Sequence, residues 1–219
     1  MTGSSSAPAG PLERFAAHVA HDFNNLLTGI LGNLELLQYR AARNNVQGLD
    51  GYLEGASSAG GRAAAFAQRL LLFSGRGARP PEAVPVDALL RRLGGNAVLC
   101  LAAGGAALFC DPEQIALALT ELLDNAAAAT ALGGEIFLDS ALEHESVILR
   151  VRDTGAGMAP GILAQAQEPF FTTHASGAGR GLGLSIAARI IAQAGGRMEI
   201  QSEEGAGCTV TLTLPRAKS

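Results

Sequence analysis

The sequence predicts a multi-domain chain of the α plus α/β class, an antiparallel helical hairpin followed by an α/β sandwich. Three observations carry this reading. Apolar residues recur at helical spacing through the first third of the chain. The run SGRGARPPEAVP, Ser74 to Pro85, then breaks the pattern with glycines, prolines and arginines. Beyond it, short alternating strands are interleaved with helical segments. The chain divides accordingly into a disordered tail at 1–10, a hairpin at 11–76, a linker at 77–85 and a second domain at 86–216.

In the first helix Phe15, Val19, Phe23, Leu26, Leu27, Ile30, Leu31, Leu34 and Leu37 share one broad face, with Leu36 as an exception. His18, His21, Asn25, Thr28, Gly32 and Glu35 share the other, which places the His21 imidazole toward solvent or a docking partner. RNNVQG, Arg43 to Gly48, reads as a turn. A second helix follows from about Leu49 to Ser74, with Leu49, Tyr52, Ala56, Ala63, Phe66, Leu70 and Phe73 spaced as a seam. Alone, such a hairpin leaves its wide apolar face uncovered; a second copy would cover it in a four-helix bundle, so a homodimer is expected.

In the second domain Asp111 and Pro112 make an N-cap and first-turn pair, and a helix is expected from there to about Thr130. EIFLDSA, SVILRVRD, MEIQS and CTVTLTL alternate as strands, and LGLSIAARIIAQAGG reads as a helix stopped by Gly195 and Gly196. The sheet is expected to be mixed or antiparallel.

Composition closes off several classes. A formal charge of -4 gives no reason to attract nucleic acid. The longest apolar run, Ala97 to Cys110, contains two glycines and falls short of the roughly 20 residues of a membrane span. The start of the chain lacks the basic and apolar regions of a secretory signal, so a cytoplasmic protein is expected. Cys100, Cys110 and Cys208 form no CxxC pair and read as buried reduced thiols.

Four stretches carry chemistry. Glu121 and Asn125, four residues apart, share a helix face, and two oxygen-bearing side chains suit a magnesium ion. RDTGAGM places Asp153 at a strand end before Gly155 and Gly157; it is either a tight turn or a place where backbone approaches a flat ligand and the carboxylate accepts from an exocyclic amine. GAGRGLGLS leads Gly177, Gly179, Gly181, Leu182 and Gly183 into a helix, where exposed N–H groups bind phosphate, yet it lacks the Gly-Lys-Ser/Thr of a Walker loop. Phe170 and Phe171 follow a proline and are either a lid anchor or plain core.

In order, ELLDNAAAA, DTGAGM, EPFFTT and GRGLGLS resemble the four nucleotide-binding boxes of the Bergerat-type (GHKL) ATPase domain shared by sensor histidine kinases, type II topoisomerases and a family of heat-shock chaperones. HDFNNLLTGILGNLELL resembles the phospho-acceptor box of histidine kinases. The resemblance covers about Leu12 to Arg216. It implies a two-component kinase in which His21 takes the γ-phosphoryl group of ATP and passes it to an aspartate on the receiver domain of a response regulator. Asp22 would hold the other ring nitrogen and Asn25 would position water for removing phosphate from the regulator. By the same resemblance Asn125 would bind Mg2+ with Glu121 in support, Asp153 would bind the adenine amine, and Gly155 and Gly157 would line the base. Phe170 and Phe171 would anchor the lid, while Gly179, Gly181, Leu182 and Gly183 would approach the phosphates. Arg180 would reach a phosphate or point into water.

His18, His144 and His174 have no such match and read as surface residues. The segment from Asp87 to Asp111 is shorter than the family's usual helix and strand pair, which implies a trimmed wall of the ATP domain. A reduced ATP domain would instead suit a phosphotransferase or phosphatase adaptor, and a third reading is a non-catalytic module that only sequesters a regulator. The signal would come from elsewhere in a longer chain or from a separate sensor protein.

Overall fold

The computed structural model describes residues 11–43, 48–73, 79–169, 171–172 and 181–217. The predicted tail at 1–10 and the centre of the hairpin turn lie outside those residues. The chain forms two compact units, divided between Leu71 and Leu72.

The first unit consists of α1 (Pro11–Ala41) and α2 (Leu49–Phe73). Glycines on each helix face the other helix at close range. A Cβ built on Gly29 would lie 3.5 Å from that of Ala59, and one on Gly55 would lie 2.6 Å from the Asn33 Oδ1. Asn33 is held in this gap because its Nδ2 donates to the Gly29 carbonyl at 2.7 Å. Of the predicted seam, Ala56 and Phe66 are buried, joined by Ala59 and, from α1, by Leu26. Phe23, Leu27, Leu31 and Leu34 stay exposed on α1, Leu31 at 56%. Full burial of side chains of this size is worth about 1.5–3 kcal/mol each, so α1 presents an adhesive stripe.

The second unit contains β1 (Glu82–Pro85), α3 (Val86–Leu93), β2 (Val98–Ala102), β3 (Ala107–Cys110), α4 (Pro112–Ala129), β4 (Ile136–Glu143), β5 (Ser146–Asp153), α5 (Pro160–Leu163), α6 (Gly183–Gln193), β6 (Arg197–Ser202) and β7 (Cys208–Pro215). Five strands form a mixed sheet in the order β2-β4-β5-β7-β6, in which only the β2 and β4 pair is parallel. Alternation sorts the strands into two faces. Leu138, Val147, Leu149, Val151, Val210, Leu212 and Leu214 are buried on one face, as are Ile115, Ala118, Leu119 and Leu122 of α4 and Ile186, Ala187, Ile190 and Ile191 of α6. The other face carries Thr209, Thr211 and Thr213, the Arg150–Glu143 and Arg197–Glu199 pairs, and Arg152 stacked over Phe137 at 4.0 Å. This is a two-layer sandwich with helices on one side of the sheet.

Two expectations change. The linker read as ending at Pro85 includes a strand, since Glu82 to Pro85 pair antiparallel with Cys110 to Ala107. Cys100 is exposed: it lies on β2, an edge strand whose outer positions nothing covers, whereas Cys110 is buried and Cys208 half-buried. The segment read as short builds α3, β2 and β3, with Leu89, Leu90, Leu108 and Cys110 all buried. Its two strands pair with β4 and β1 and not with each other. Buried Ser140 ties this wall in, donating to Asp87 Oδ1 at 2.8 Å and accepting the Ala102 N–H at 3.2 Å.

Among the described residues no helix is long and apolar enough to cross a membrane.

Candidate active site

In the first unit His21 projects from α1 with 71% of its side chain exposed. Its Nδ1 lies 3.2 Å from Asp22 Oδ1. In the tautomer that carries its proton on Nδ1, that N–H donates to the carboxylate and Nε2 keeps its lone pair as an acceptor. Asn25, one turn on, brings its Nδ2 to 3.4 Å from Nδ1 and 3.5 Å from Nε2. His21, Asp22 and Asn25 thus form one group on an exposed helix face, with an amide and a carboxylate beside a ring nitrogen. The His18 side chain and His174 lie outside the described residues, and His144 is exposed in the β4–β5 turn at a φ of 53°.

In the second unit the site begins with how α4 is started. Asp111 Oδ1 accepts the N–H groups of Glu113 at 2.9 Å and Gln114 at 3.4 Å, and Pro112 supplies a first-turn residue with no N–H to satisfy. From that fixed start, the four-residue spacing turns Glu121 and Asn125 toward the beginning of α6. A Cβ on Gly183 would stand 3.0 Å from both Asn125 Nδ2 and Glu121 Oε2. A side chain at 183 would crowd the ends of Asn125 and Glu121, so the glycine keeps this gap open. Glu121 is buried and Asn125 exposed, so the amide faces outward over the carboxylate. The first N–H groups of α6 have no intrahelical acceptors, as at any helix start, and favour an anion. Gly181 enters this start at a φ of 61°, and Leu182 is buried beneath it.

Asp153 ends β5 with its side chain buried, and its Oδ1 accepts the Gly155 N–H at 2.8 Å. Both readings of this loop have a basis, because the turn is tight and its glycines are crowded by backbone of this same chain. A Cβ on Gly155 would run into the Ala129 carbonyl, and one on Gly157, at a φ of 64°, into the Glu203 carbonyl. Ala156 donates its N–H to the Ala129 carbonyl at 3.2 Å and accepts the Gly205 N–H at 2.7 Å. The loop is therefore clamped between the end of α4 and the β6–β7 turn.

That turn is the part of the site the sequence reading missed. Gly207, at a φ of 82°, lies so close to the Asp153 carbonyl that a Cβ would collide with it, and Cys208 pairs with Asp153 across the sheet. Burial and the neighbouring carboxylate push the Cys208 thiol up to about 11. The glycines of EEGAGC were the available signal, but only long-range pairing shows what they touch. A recess of about 390 Å³ on the far side, among Arg152, Thr154, Gln201, Glu203 and Thr209, includes Asp153 but neither Glu121 nor Asn125. It is a groove at the sheet's end, separate from the start of α6.

Phe171 is half-buried and donates its N–H to the Glu168 carbonyl at 3.2 Å. Phe170, Gly177, Gly179 and Arg180 lie outside the described residues. The structure thus groups Glu121, Asn125, Gly181, Leu182 and Gly183 around the meeting of α4 and α6, and Asp153, Gly155 and Gly157 around the end of β5.

A one-sided mixed sheet with this glycine-bounded helix start, following a helical hairpin with an exposed histidine, defines the class of histidine-kinase-like ATPase folds joined to a phospho-acceptor hairpin. Two family models match it. The "His Kinase A (phospho-acceptor) domain" matches residues 12–78, and the "Histidine kinase-, DNA gyrase B-, and HSP90-like ATPase" matches residues 110–218. The chain belongs to the sensor histidine kinase family and carries its catalytic core. Sensor kinase CckA of Brucella abortus is 34% identical over 230 positions, covering 93% of this chain and 24% of that protein. Sporulation kinase E of Bacillus subtilis is 36% identical over 109 positions, covering 49% of this chain and 14% of that protein. This chain spans about a quarter or less of the length of these relatives. The Acinetobacter baumannii histidine kinase AdeS shares the fold at a TM-score of 0.68, with 17% identity over 90% of this chain and 98% of that one.

Proposed function

We propose that this chain is the catalytic core of an ATP-dependent protein-histidine kinase, phosphorylated on His21 and passing the group to an aspartate of a response regulator. The observation that carries the reading is the meeting of Glu121 and Asn125 with the start of α6, where a Gly183 Cβ would stand 3.0 Å from both side chains. An oxygen donor pair beside a helix start suits a nucleotide's phosphates and a divalent cation.

Asp153 accepts from the adenine amine, and the clamped loop keeps that carboxylate fixed in a water-poor place. The first-turn N–H groups of α6, approached through Gly181 and Gly183, hold phosphate oxygens. The donor set fits Mg2+: a carboxylate oxygen from Glu121 and an amide oxygen from Asn125 are hard donors on one helix face, and water and phosphate oxygens would complete the shell. Asn125, with Glu121 behind it, would hold the ion, which would supply neutralisation of phosphate charge.

Nε2 of His21 attacks the γ-phosphorus in line; the N–P bond forms as the bond to the β–γ bridging oxygen breaks, and ADP leaves. Asp22 accepts from the Nδ1–H and stabilises the positive ring that results. Asn25, next to the same ring, orients water in the reverse duty of removing phosphate from the regulator. The exposed stripe of Phe23, Leu27, Leu31 and Leu34 is covered by a second copy of the chain.

The adaptor reading drew on the short segment after Asp87; that segment folds as α3, β2 and β3, and the match to both the phospho-acceptor and the ATPase family models favours the kinase. The test is incubation with γ-labelled ATP and magnesium. The wild type should take acid-labile label that both His21→Ala and Asn125→Ala abolish. Label that survives His21→Ala would sink the proposal.

A further inference from the structure

We infer that Ser202 is a positioning residue for base recognition: its hydroxyl holds the β6–β7 turn against the loop that follows Asp153, and so sharpens the preference for an adenine nucleotide. The inference rests on the assignment of Asp153 to the base made above. Ser202, Cys208 and Asp153 stand in one row across β6, β7 and β5. At about 4.8 Å between neighbouring strands, Ser202 is roughly 10 Å from Asp153, too far to touch the same amine. It acts through the turn.

The turn grips the loop at three places. Gly205 donates its N–H to the Ala156 carbonyl at 2.7 Å, the Glu203 carbonyl packs on Gly157, and Gly207 packs on the Asp153 carbonyl. Glu203, Glu204 and Ala206 are exposed, so the grip is made by backbone and depends on what holds that backbone in shape. Ala206 closes the turn by donating its N–H to the Glu203 carbonyl at 3.0 Å. Ser202 Oγ fixes the far end by donating to the Gly207 carbonyl at 2.7 Å. Gly207 is buried, and a buried carbonyl that loses its donor is driven toward water. Turning outward takes Gly207 off the Asp153 carbonyl. The loop then gains room where Asp153 Oδ1 accepts the Gly155 N–H, and the second oxygen loses its fixed aim at the amine. Glu121, Asn125 and Gly183 take no part in these contacts, so transfer from bound nucleotide is left alone.

The experiment uses the full chain as Ser202→Ala, Ser202→Thr, Asp153→Asn and the double Ser202→Ala/Asp153→Asn. Calorimetry gives Kd for ATP and for GTP with magnesium, and the initial rate of His21 labelling at saturating ATP gives kcat. Ser202→Ala should weaken ATP by roughly two- to tenfold, the worth of one hydrogen bond, weaken GTP less, and leave kcat unchanged. Ser202→Thr keeps a hydroxyl and should bind ATP as the wild type does. In the Asp153→Asn background the alanine should cost nothing further. Wild-type ATP affinity in Ser202→Ala, equal losses for ATP and GTP, a threonine variant as weak as the alanine, or an undiminished cost in the double variant would overturn the role of Ser202 while leaving the kinase reading intact. A fall in kcat at unchanged affinity would overturn it too, since that is the mark of a partly unfolded enzyme. If Asp153→Asn itself leaves ATP affinity unmoved, the assignment of the base fails and this inference with it.

Discussion

Replacing Asp153 with asparagine exchanges one carboxylate oxygen for an amide group of nearly the same shape, and the geometry around it sets the cost. The side chain is 6% exposed, and one of its oxygens is committed to the Gly155 N–H at 2.8 Å. An asparagine keeps that bond through its own carbonyl oxygen, so the turn loses little. Its NH2 then occupies the place from which the second oxygen would accept the adenine amine, and a donor faces a donor. A hydrogen bond to a charged group contributes about 1.5–3 kcal/mol, which corresponds to roughly 10–150-fold in affinity. Calorimetric titration of Asp153→Asn should show ATP binding weakened within that range. Guanine offers a carbonyl oxygen where adenine offers its amine, so GTP should lose less and the preference for ATP over GTP should narrow. Affinity for ATP within threefold of the wild type, with the preference unmoved, would refute the assignment of Asp153 to the base.

The same Gly→Ala change should have opposite signs in the two units. At Gly157 the φ of 64° and the Glu203 carbonyl stand against a Cβ, so alanine should cost about 1–2 kcal/mol for conformation alone and more for the collision, lowering Tm by several degrees. At Gly60 and Gly61, where a Cβ meets nothing within 4 Å on helix α2, each alanine should stabilise by about 0.8–1.0 kcal/mol. Chemical denaturation of the three variants checks both signs. Burial first, with neighbouring carboxylates second, pushes the thiols of Cys110 and Cys208 up to about 11. The folded chain then keeps protons that the unfolded chain gives up from about pH 9, so stability should fall as pH rises from 9 to 11. Urea midpoints across that interval should flatten in the Cys110→Ser/Cys208→Ser variant, and an unchanged slope would count against the cause given.

Local chemistry was legible in the sequence where one element decides the outcome. Asp111 and Pro112 announced the start of α4, and β5 and β7 could be read from alternation, because capping and pleat geometry act over a few residues. The reading failed where a distant partner decides. Glu82 to Pro85 look like linker until β3 is set beside them. Cys100 alternates like a core position, but nothing in a five-residue strand says that it lies at the sheet's edge. α5 has four residues, too few to show a period. The glycines of DTGAGM were visible, yet their crowding by Ala129 and Glu203 became plain only when the β6–β7 turn was folded against them.

The central claim is that His21 is the phospho-acceptor, and the most direct measurement is to map the phosphoryl group. The chain is incubated with ATP and magnesium, kept at neutral to alkaline pH, digested, and sequenced by tandem mass spectrometry beside an Asn125→Ala control. The account predicts one phosphorylated site, the imidazole of His21, absent from the control. A phosphoryl group on His18, on a hydroxyl side chain, or on His21 in the control as well would contradict it.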